Sequence, residues 1–241
     1  MEWFENWFDT EYYHILYGDR DQREAERFID NIISNLNISE GSKFLDMACG
    51  RGRHSVHLNK RGMNVLGMDI SSESISHAKE FENSTLSFEL GDMREPFPRT
   101  ELDVILNLFT SFGYFENLKD NQAFFNNSSR SLKRGGYLIL DFLNVEKAKR
   151  QLIEREKKSK EAIEFQIHRF IDNNFICKKI DFQANGRFYS FTEKVRDFTL
   201  DDFISFFANS ALEIVSIHGD YDLNSFDKTT SDRLILIGKK S

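Results

Sequence analysis

The chain has 241 residues, enough for one large α/β domain or for such a domain with an insert. Its net charge of −7 argues against a broad phosphate-binding surface and therefore against a nucleic-acid substrate. Cys49 and Cys177 lie far apart without metal-ligand spacing, which favours a reducing, cytoplasmic location. No apolar run is long enough to cross a membrane, and the acidic, aromatic start does not resemble a signal peptide.

Two segments precede the first predicted strand. Residues 1–17 are crowded with aromatic rings. Apolar residues at helical spacing then predict a helix over Arg20–Leu36, packed on the face of a sheet. Gly41 and Ser42 break the chain after it. We therefore expect an aromatic and helical N-terminal segment in front of an α/β unit.

Strands and helices alternate over the next hundred or so residues. Short apolar runs predict buried strands at Lys43–Met47, Asn64–Asp69, Leu86–Leu90, Leu102–Leu108 and Tyr137–Phe142. Helical patterns lie between most of them, at Arg53–Arg61, from a cap at Ser71 or Ser72 to about Phe81, and at Leu118–Leu132. Because this alternation requires right-handed crossovers, it predicts a parallel sheet.

The pattern changes after residue 145. The charged stretch that runs to about Lys160 predicts a solvated helix, because acidic and basic residues are interleaved along it. Alternating apolar and polar residues and the turn signal Asn185-Gly186 then predict three antiparallel strands ending at Asp197. Residues 146–198 are thus expected to form an inserted helix and β meander.

The end of the chain returns to the α/β pattern. Thr199-Leu-Asp-Asp202 is a capping box that predicts a last helix. Strands are predicted at Leu212–His218 and Leu234–Gly238. Since no repeat or low-complexity linker interrupts the chain, we expect residues 1–241 to form a single domain.

The first strand and the turn after it carry residues suited to a charged ligand. Open parallel sheets bind ligands beyond the carboxyl ends of their strands, beside the first strand. Asp46 places a negative charge there, where a cationic amine can be held. Gly50 and Gly52 let the backbone approach a ligand closely, and the helix that follows offers amide hydrogens to a carboxylate.

The next two strand ends extend this site. Asp69 lies 23 residues after Asp46, a position from which a carboxylate can hold both ribose hydroxyls. Asp92 can accept from an exocyclic amine, while Ile70 and Met93 can sandwich a flat base. Each feature alone also fits a turn or a helix cap. Their joint occurrence, in order and at strand ends, predicts a nucleoside site with an amino-acid tail near the first loop.

Over residues 40–142 and 199–240 the chain resembles class I S-adenosylmethionine-dependent methyltransferases. The motifs are Phe44-Leu-Asp46-Met-Ala-Cys-Gly50-Arg-Gly52, Gly67-Met-Asp69-Ile-Ser, Gly91-Asp92-Met93, Leu102-Asp-Val-Ile and Leu132-Lys-Arg-Gly-Gly136. The segments Tyr12-Tyr-His-Ile-Leu-Tyr17 and Phe109-Thr-Ser-Phe-Gly-Tyr114 are similar to the branch of sugar-amine N,N-dimethyltransferases and glycine N-methyltransferase-like enzymes. The resemblance implies an α/β, Rossmann-like fold: a seven-stranded, mostly parallel sheet with an antiparallel last strand, plus the inserted antiparallel meander.

The resemblance also implies S-adenosyl-L-methionine as the cofactor. The loop after the first strand would hold its methionine part, Asp69 its ribose, and Asp92 with Met93 its adenine. In such enzymes the N-terminal tyrosine segment folds over the cofactor, so residues 1–37 are expected to cap the site. A plain aromatic cluster is the other interpretation of these rings, and Arg53 either pairs with the cofactor carboxylate or faces solvent. The expected cofactor-binding residues are Tyr13, Tyr17, Asp46, Ala48, Gly50, Gly52, Arg53, Asp69, Ile70, Asp92, Met93 and Leu108.

The acceptor is expected to be a small molecule, with an amine nitrogen favoured. A neutral amine needs only prior loss of a proton, whereas an oxygen or carbon nucleophile needs a positioned base. Two catalytic candidates are expected to face the substrate: Tyr114, where the resemblance places a base, and Asp141, at the end of the fifth strand. Tyr114 is also expected to contact the substrate, and Asp141 could hold a cationic amine. Arg233 either meets an anionic group of the substrate or forms a surface ion pair.

Two other functions fit parts of this pattern. Gly50-x-Gly52-x-x-Ser55 approximates the fingerprint of a dinucleotide-dependent oxidoreductase, but Asp46 and the Asp92-Met93 pair argue against one. The other is a partner protein that binds S-adenosylmethionine without catalysis. The insert is expected to be a lid, a wall of the substrate site or a contact in a homodimer. No metal ion and no nucleic-acid or membrane partner is expected.

Overall fold

A computed structural model describes residues 2–18 and 22–241 and, within them, places a seven-stranded sheet at the centre of the protein. Its strands are β1 (Lys43–Met47), β2 (Asn64–Asp69), β3 (Leu86–Leu90), β4 (Leu102–Asn107), β5 (Leu132–Leu143), β10 (Leu212–His218) and β11 (Arg233–Lys240). Their order is β3-β2-β1-β4-β5-β11-β10. The first five run parallel, and β11 is antiparallel to both β5 and β10. The predicted fold class is confirmed.

Helices cover both faces of this sheet because each turns an apolar stripe toward it. One face is covered by α3 (Gln22–Asn35), α4 (Arg53–Lys60) and α5 (Ser72–Ala78), with Phe28 and Leu58 fully buried. The other is covered by α6 (Leu118–Ser131) and α8 (Leu200–Ala208). Between these two helices and the sheet, phenylalanine rings pack edge to face and in stacks, which accounts for many of the 24 phenylalanines.

The predicted helix boundaries are confirmed where caps mark them. The Ser71 side chain accepts a hydrogen bond from the Ser74 amide, and Thr199 forms the predicted capping box with Asp202. The predicted start of the first long helix, at Arg20, lies outside the described residues. No helix in the described parts of the chain is long and apolar enough to cross a membrane.

The insert differs from the prediction in one respect. The charged helix expected up to Lys160 is only α7 (Val145–Arg150), and Arg155–Lys160 forms a strand, β6. This strand pairs antiparallel with β7 (Ile163–Asp172) at the edge of a sheet, so its lysines reach solvent while its backbone is hydrogen-bonded. Tertiary pairing therefore overrides the local pattern of charges.

With β8 (Phe175–Ala184) and β9 (Arg187–Arg196), the insert is a four-stranded antiparallel sheet rather than the three-stranded meander expected. Its apolar face packs against two short helices at the start of the chain, α1 (Trp3–Phe8) and α2 (Glu11–Tyr17). The buried contacts include Trp7 and Leu16 on the helices. The sheet of the insert therefore packs against α1 and α2 and holds them in place.

Candidate functional site

A cavity of about 350 Å³ lies beyond the carboxyl ends of β1 to β4, under a roof formed by α1 and α2. Its size is within the range of small-molecule sites. It brings together twelve of the predicted site residues: Tyr13, Tyr17, Asp46, Ala48, Gly50, Arg53, Asp69, Ile70, Asp92, Met93, Leu108 and Tyr114. The prediction missed further lining residues on the roof, among them Phe4, Phe8 and His14.

The loop between β1 and α4 is built on left-handed backbone. Ala48, Gly50 and Gly52 have φ values of +62°, +56° and +82°. A Cβ on Gly50 would meet nothing within 4 Å, whereas one on Gly52 would come within 2.7 Å of the Phe88 ring. Gly50 therefore opens the loop toward the cavity, while Gly52, which does not line the cavity, permits close packing beneath it.

Asp46 is a buried carboxylate on the floor of the cavity, which is the surface formed by the ends of β1 to β4 and the loops that follow them. Its side chain is 1% exposed, and its Oδ2 accepts a hydrogen bond of 2.6 Å from the Ser55 hydroxyl on α4. Burial raises the pKa of Asp46 to about 6, against the opposing effect of that hydrogen bond. The carboxylate is therefore ionised at neutral pH and can stabilise a cation next to it.

Asp69 joins the ends of β1 and β2. Its Oδ2 accepts from the Gly50 amide at 2.7 Å, and its Oδ1 accepts from the Ser71 amide at 2.9 Å. Burial raises the pKa of Asp69, while these backbone hydrogen bonds oppose the shift. Because each carboxylate oxygen has two acceptor positions, Asp69 can also accept two hydroxyl groups from a ligand in the cavity.

Asp92 is held by an arginine that the sequence analysis overlooked. The guanidinium of Arg94 donates to Asp92 Oδ2 through Nε at 2.9 Å and Nη2 at 2.5 Å. Its Nη1 reaches Glu2 Oε2 at 2.8 Å, next to the start of α1, and its Cζ lies 4.7 Å from the centroid of the Phe115 ring. Arg94 therefore orients Asp92 and connects the roof to the floor.

A second connection between roof and floor lies at the start of α5. His14 Nε2 lies 2.7 Å from Glu73 Oε2, and Arg51 Nη2 donates to the other oxygen of Glu73 at 2.6 Å. Asp9 accepts from the Glu73 amide at 2.8 Å and from the Ser71 hydroxyl at 2.9 Å, which places its charge at the positive end of that helix. Burial lowers the pKa of His14.

A third connection joins the roof to the insert. Glu193 on β9 accepts from the Trp7 indole N–H at 2.7 Å and from the Tyr17 hydroxyl at 2.7 Å. Lys178 is paired with Glu193 in the register of β8 and β9, and its Nζ lies 3.6 Å from Glu193 Oε2. The Lys178 ammonium also donates a hydrogen bond to the Tyr17 hydroxyl. Burial lowers the pKa of Lys178. These four residues are called the roof cluster below.

Tyr114 lies on the cavity wall, but its hydroxyl already donates to the Thr110 carbonyl oxygen at 2.6 Å. Its ring packs against those of Trp3, Phe4 and Phe8, with centroids 5.3 to 6.1 Å apart. This wall is therefore aromatic, and Tyr114 acts as a hydrogen-bond donor to the backbone. That geometry does not support the role of base expected for it.

Asp141 and Arg233 do not lie on the cavity wall, contrary to the substrate-side roles expected of them. Arg233 Nε donates to Asp141 Oδ1 at 2.7 Å, and the Asp141 side chain is fully buried. The sequence placed each at a strand end but did not show that β5 and β11 are antiparallel neighbours, which brings the two side chains together.

The residues present fit a cationic nucleoside with an amino-acid tail. Carboxylates of Asp46, Asp69 and Asp92 line one cavity at three strand ends, and rings of the roof cover it. The open backbone at Gly50 leaves room for close approach of a ligand. Among residues 2–18 and 22–241, no group of His, Cys, Asp and Glu side chains is arranged to hold a metal ion.

Comparison with known proteins identifies a methyltransferase domain over residues 45–140. The chain is 29% identical over 103 residues to the dTDP-3-amino-3,4,6-trideoxy-alpha-D-glucopyranose N,N-dimethyltransferase of Streptomyces venezuelae, covering 42% of this chain and 43% of the relative. It is 32% identical over 109 residues to the demethylmenaquinone methyltransferase of Tropheryma whipplei, covering 44% and 43%. The matches therefore span less than half the length of these relatives.

The likeness in three dimensions extends over nearly the whole chain. A crystal structure of an S-adenosylmethionine-dependent methyltransferase from Clostridium acetobutylicum superposes with a TM-score of 0.81 at 19% identity, covering 95% of this chain and 96% of the other. The domain match therefore bears out the resemblance to methyltransferases over residues 45–140, and the superposition shows the same fold over nearly the whole chain.

Proposed function

We propose that the chain is an enzyme that transfers a methyl group from S-adenosylmethionine to an amine nitrogen of a small molecule. The observation that carries this proposal is the convergence of Asp46, Asp69 and Asp92 on one cavity with an aromatic roof. Three carboxylates at neighbouring strand ends suit the amine, ribose and adenine groups of one ligand, and the methyltransferase domain spans all three.

Each group of the cofactor has residues placed to hold it. Asp46 and the loop at Gly50 would take the methionine part, Asp69 the ribose hydroxyls, and Asp92 with Met93 the adenine. When bound, the cofactor would supply a methyl group on a sulfonium, and release of the neutral thioether as leaving group would drive methyl transfer. The chain's own task is to align the acceptor in line with that methyl group and to exclude water, which the roof does by covering the cavity.

An amine acceptor agrees with the placement of the two residues predicted as catalytic. The Tyr114 hydroxyl is engaged with a backbone carbonyl, and Asp141 is buried away from the cavity, so neither is placed to act as a base during attack. A neutral amine needs no base at that moment. The rings of Phe4, Phe8 and Tyr13 on the roof offer π faces that can stabilise the cationic methylated product. A dimethyltransferase acting on an amino sugar among the relatives supports the same choice.

Other properties of the whole protein stay predictions. A small-molecule acceptor suits a covered cavity of this size, and the net charge of −7 disfavours nucleic acid. The apolar face of the insert is covered by α1 and α2, which supports a role in carrying the roof more than a role as a dimer contact. Two buried thiols, Cys49 and Cys177, support a reducing compartment.

Calorimetry with S-adenosylhomocysteine tests the cofactor part of the proposal. The wild-type protein is expected to bind it at micromolar concentration, and Asp69→Ala is expected to lose that binding. Glu164→Ala, an exposed change on the insert, serves as the matched control. NADH is expected not to bind. Absence of S-adenosylhomocysteine binding in the wild type, or an Asp69→Ala variant that binds like it, contradicts the proposal.

Turnover of methyl-labelled S-adenosylmethionine tests the acceptor part. A panel of amino sugars and small primary amines is compared with matched hydroxy compounds lacking the amine. Label transfer to the amines alone is the expected result. Transfer only to hydroxyl or carbon centres overturns the choice of nitrogen, and cofactor binding without transfer to any compound supports the non-catalytic alternative.

A further inference from the structure

The loop after β4 contains two consecutive residues in left-handed backbone that are not glycine. Phe109 and Thr110 have φ values of +59° and +60°. This region is strained for an aromatic or β-branched residue and persists only where the surroundings enforce it. Leu108 and Phe109 line the cavity, and Thr110 accepts the hydrogen bond from Tyr114. Phe109 is therefore part of the cavity wall, and Thr110 lies directly behind it.

The buried ion pair of Asp141 and Arg233 holds this backbone from behind. Asp141 Oδ2 accepts from the Phe109 amide at 2.7 Å, and the Asp141 carbonyl accepts from the Thr110 amide at 3.0 Å. Arg233 donates to Asp141 through Nε at 2.7 Å and to the Thr110 hydroxyl through Nη2 at 2.8 Å. Both residues with positive φ are thus tied to the same pair.

Tyr221, between β10 and β11, completes the arrangement. Its hydroxyl donates to Asp141 Oδ2 at 3.2 Å, and its ring stacks on Phe109 with centroids 5.1 Å apart. The Phe109 ring also contacts Arg53, whose Cζ lies 4.6 Å from its centroid. A continuous set of contacts therefore runs from Tyr221 through Phe109 to Arg53 on the cofactor loop.

None of Asp141, Arg233 and Tyr221 lies on the cavity wall. A buried ion pair is itself weak evidence for stability, because desolvation of the charges offsets their attraction. Here every polar contact of the pair that reaches the loop ends on Phe109 or Thr110. We propose that Asp141, Arg233 and Tyr221 are positioning residues that hold Phe109 and Thr110 in left-handed backbone. They thereby place Leu108 and the Phe109–Arg53 contact on the wall of the cavity that binds the cofactor.

The test separates positioning from simple stabilisation, and it rests on the proposed function only through its ligand, S-adenosylhomocysteine. Asp141→Asn is expected to weaken binding of S-adenosylhomocysteine by tenfold or more in calorimetry. Adding Thr110→Gly is expected to recover at least half of that loss on a logarithmic scale, because glycine adopts positive φ without strain. Thr110→Gly alone is expected to stay within threefold of the wild type.

Phe207→Leu is the matched control, since it removes buried ring contacts on α8, on the far side of the sheet from α4. It is expected to lower the melting temperature while changing S-adenosylhomocysteine affinity by less than threefold. The positioning role is wrong if Asp141→Asn and Phe207→Leu lose the same affinity for the same loss of melting temperature, or if Thr110→Gly restores nothing. Arg233→Lys keeps the charge but lacks the planar fork whose two nitrogens contact Asp141 and Thr110, and it replaces Asp141→Asn if that variant does not fold.

Hydrogen exchange in the ligand-free protein provides a readout independent of the cofactor. The Phe109 and Thr110 amides are expected to exchange at least tenfold faster in Asp141→Asn than in the wild type, and to be unchanged in Phe207→Leu. If the wild type binds no S-adenosylhomocysteine but shows this exchange pattern, the proposed function fails and the positioning of the loop stands. Equal exchange of both amides in all three proteins overturns the positioning role.

Discussion

Removal of the Glu193 carboxylate should release the roof from the insert. In the roof cluster, Glu193→Ala leaves the Trp7 indole N–H, the Tyr17 hydroxyl and the Lys178 ammonium without their shared acceptor. Trp7 is fully buried, and the side chains of Lys178 and Glu193 are only 16% and 15% exposed. Each buried donor left without a partner costs about 1–3 kcal/mol, and water recovers part of this at Tyr17 and Lys178.

The expected loss is therefore about 2–4 kcal/mol of docking free energy, which weakens docking of the roof by about 30- to 1,000-fold. Tryptophan fluorescence reports this directly, because both tryptophans of the protein, Trp3 and Trp7, lie on α1. Glu193→Ala is expected to shift the emission to the red and to raise acrylamide quenching severalfold at a temperature well below global unfolding. S-adenosylhomocysteine affinity should fall in parallel, since α1 and α2 cover the cavity.

Two comparisons make this prediction specific. Glu164→Ala removes a carboxylate from an exposed pair with Lys157 on the same sheet and should leave fluorescence unchanged. Adding Lys178→Met to Glu193→Ala should recover part of the quenching protection, because the uncompensated ammonium is gone. Unchanged quenching in Glu193→Ala, with a melting temperature lowered like that of a core variant, would refute docking of the roof through this cluster.

Three shorter predictions concern the floor and wall of the cavity. Because binding an ammonium group favours ionised Asp46, whose pKa is about 6, S-adenosylhomocysteine affinity should fall as the pH drops below 6. In calorimetry across pH 5 to 8, the plot of log affinity against pH should be less steep in Asp46→Asn, by up to one proton. Tyr114→Phe should lower kcat by less than about tenfold, since its hydroxyl serves the Thr110 carbonyl; a loss of about 1,000-fold would instead indicate a base. Gly52→Ala should lower the free energy of unfolding by about 1–3 kcal/mol in urea titration, because its φ is +82° and a Cβ would meet Phe88; a change under about 0.5 kcal/mol would contradict this.

The floor of the site could be predicted from the sequence because its determinants are local. A short apolar run followed by Asp46, Gly50 and Gly52 predicts both the strand and the turn, and a parallel sheet brings successive strand ends to one edge. The same logic places Asp69 and Asp92 beside them. The bounds of four strands, β1, β2, β3 and β10, agree with the prediction to the residue.

The roof could not be predicted in this way because its contacts join residues far apart in the chain. Nothing near Glu193 indicates that its partner is Trp7, and the charges of 155–160 predict a helix until the pairing with β7 is known. The catalytic role expected of Asp141 and the substrate contact considered for Arg233 are not supported for the same reason. The two residues form an ion pair, the alternative given for Arg233, but a buried one that only the order of β5 and β11 reveals. Arg94 is the exception among the contacts of the roof, because it lies only two residues after Asp92 in the sequence.

The separation of 186 residues between Trp7 and Glu193 also sets the order in which the protein can assemble on the ribosome. The helices α1 and α2 are synthesised before the strands that cover their apolar surface, because β7 to β9 are complete only when residues 163–196 have been made. Until then the surface of α1 and α2 that packs on the insert is open to solvent or a chaperone. The covered cavity therefore forms late relative to its helices, when α1 and α2 meet strands made more than a hundred residues after them.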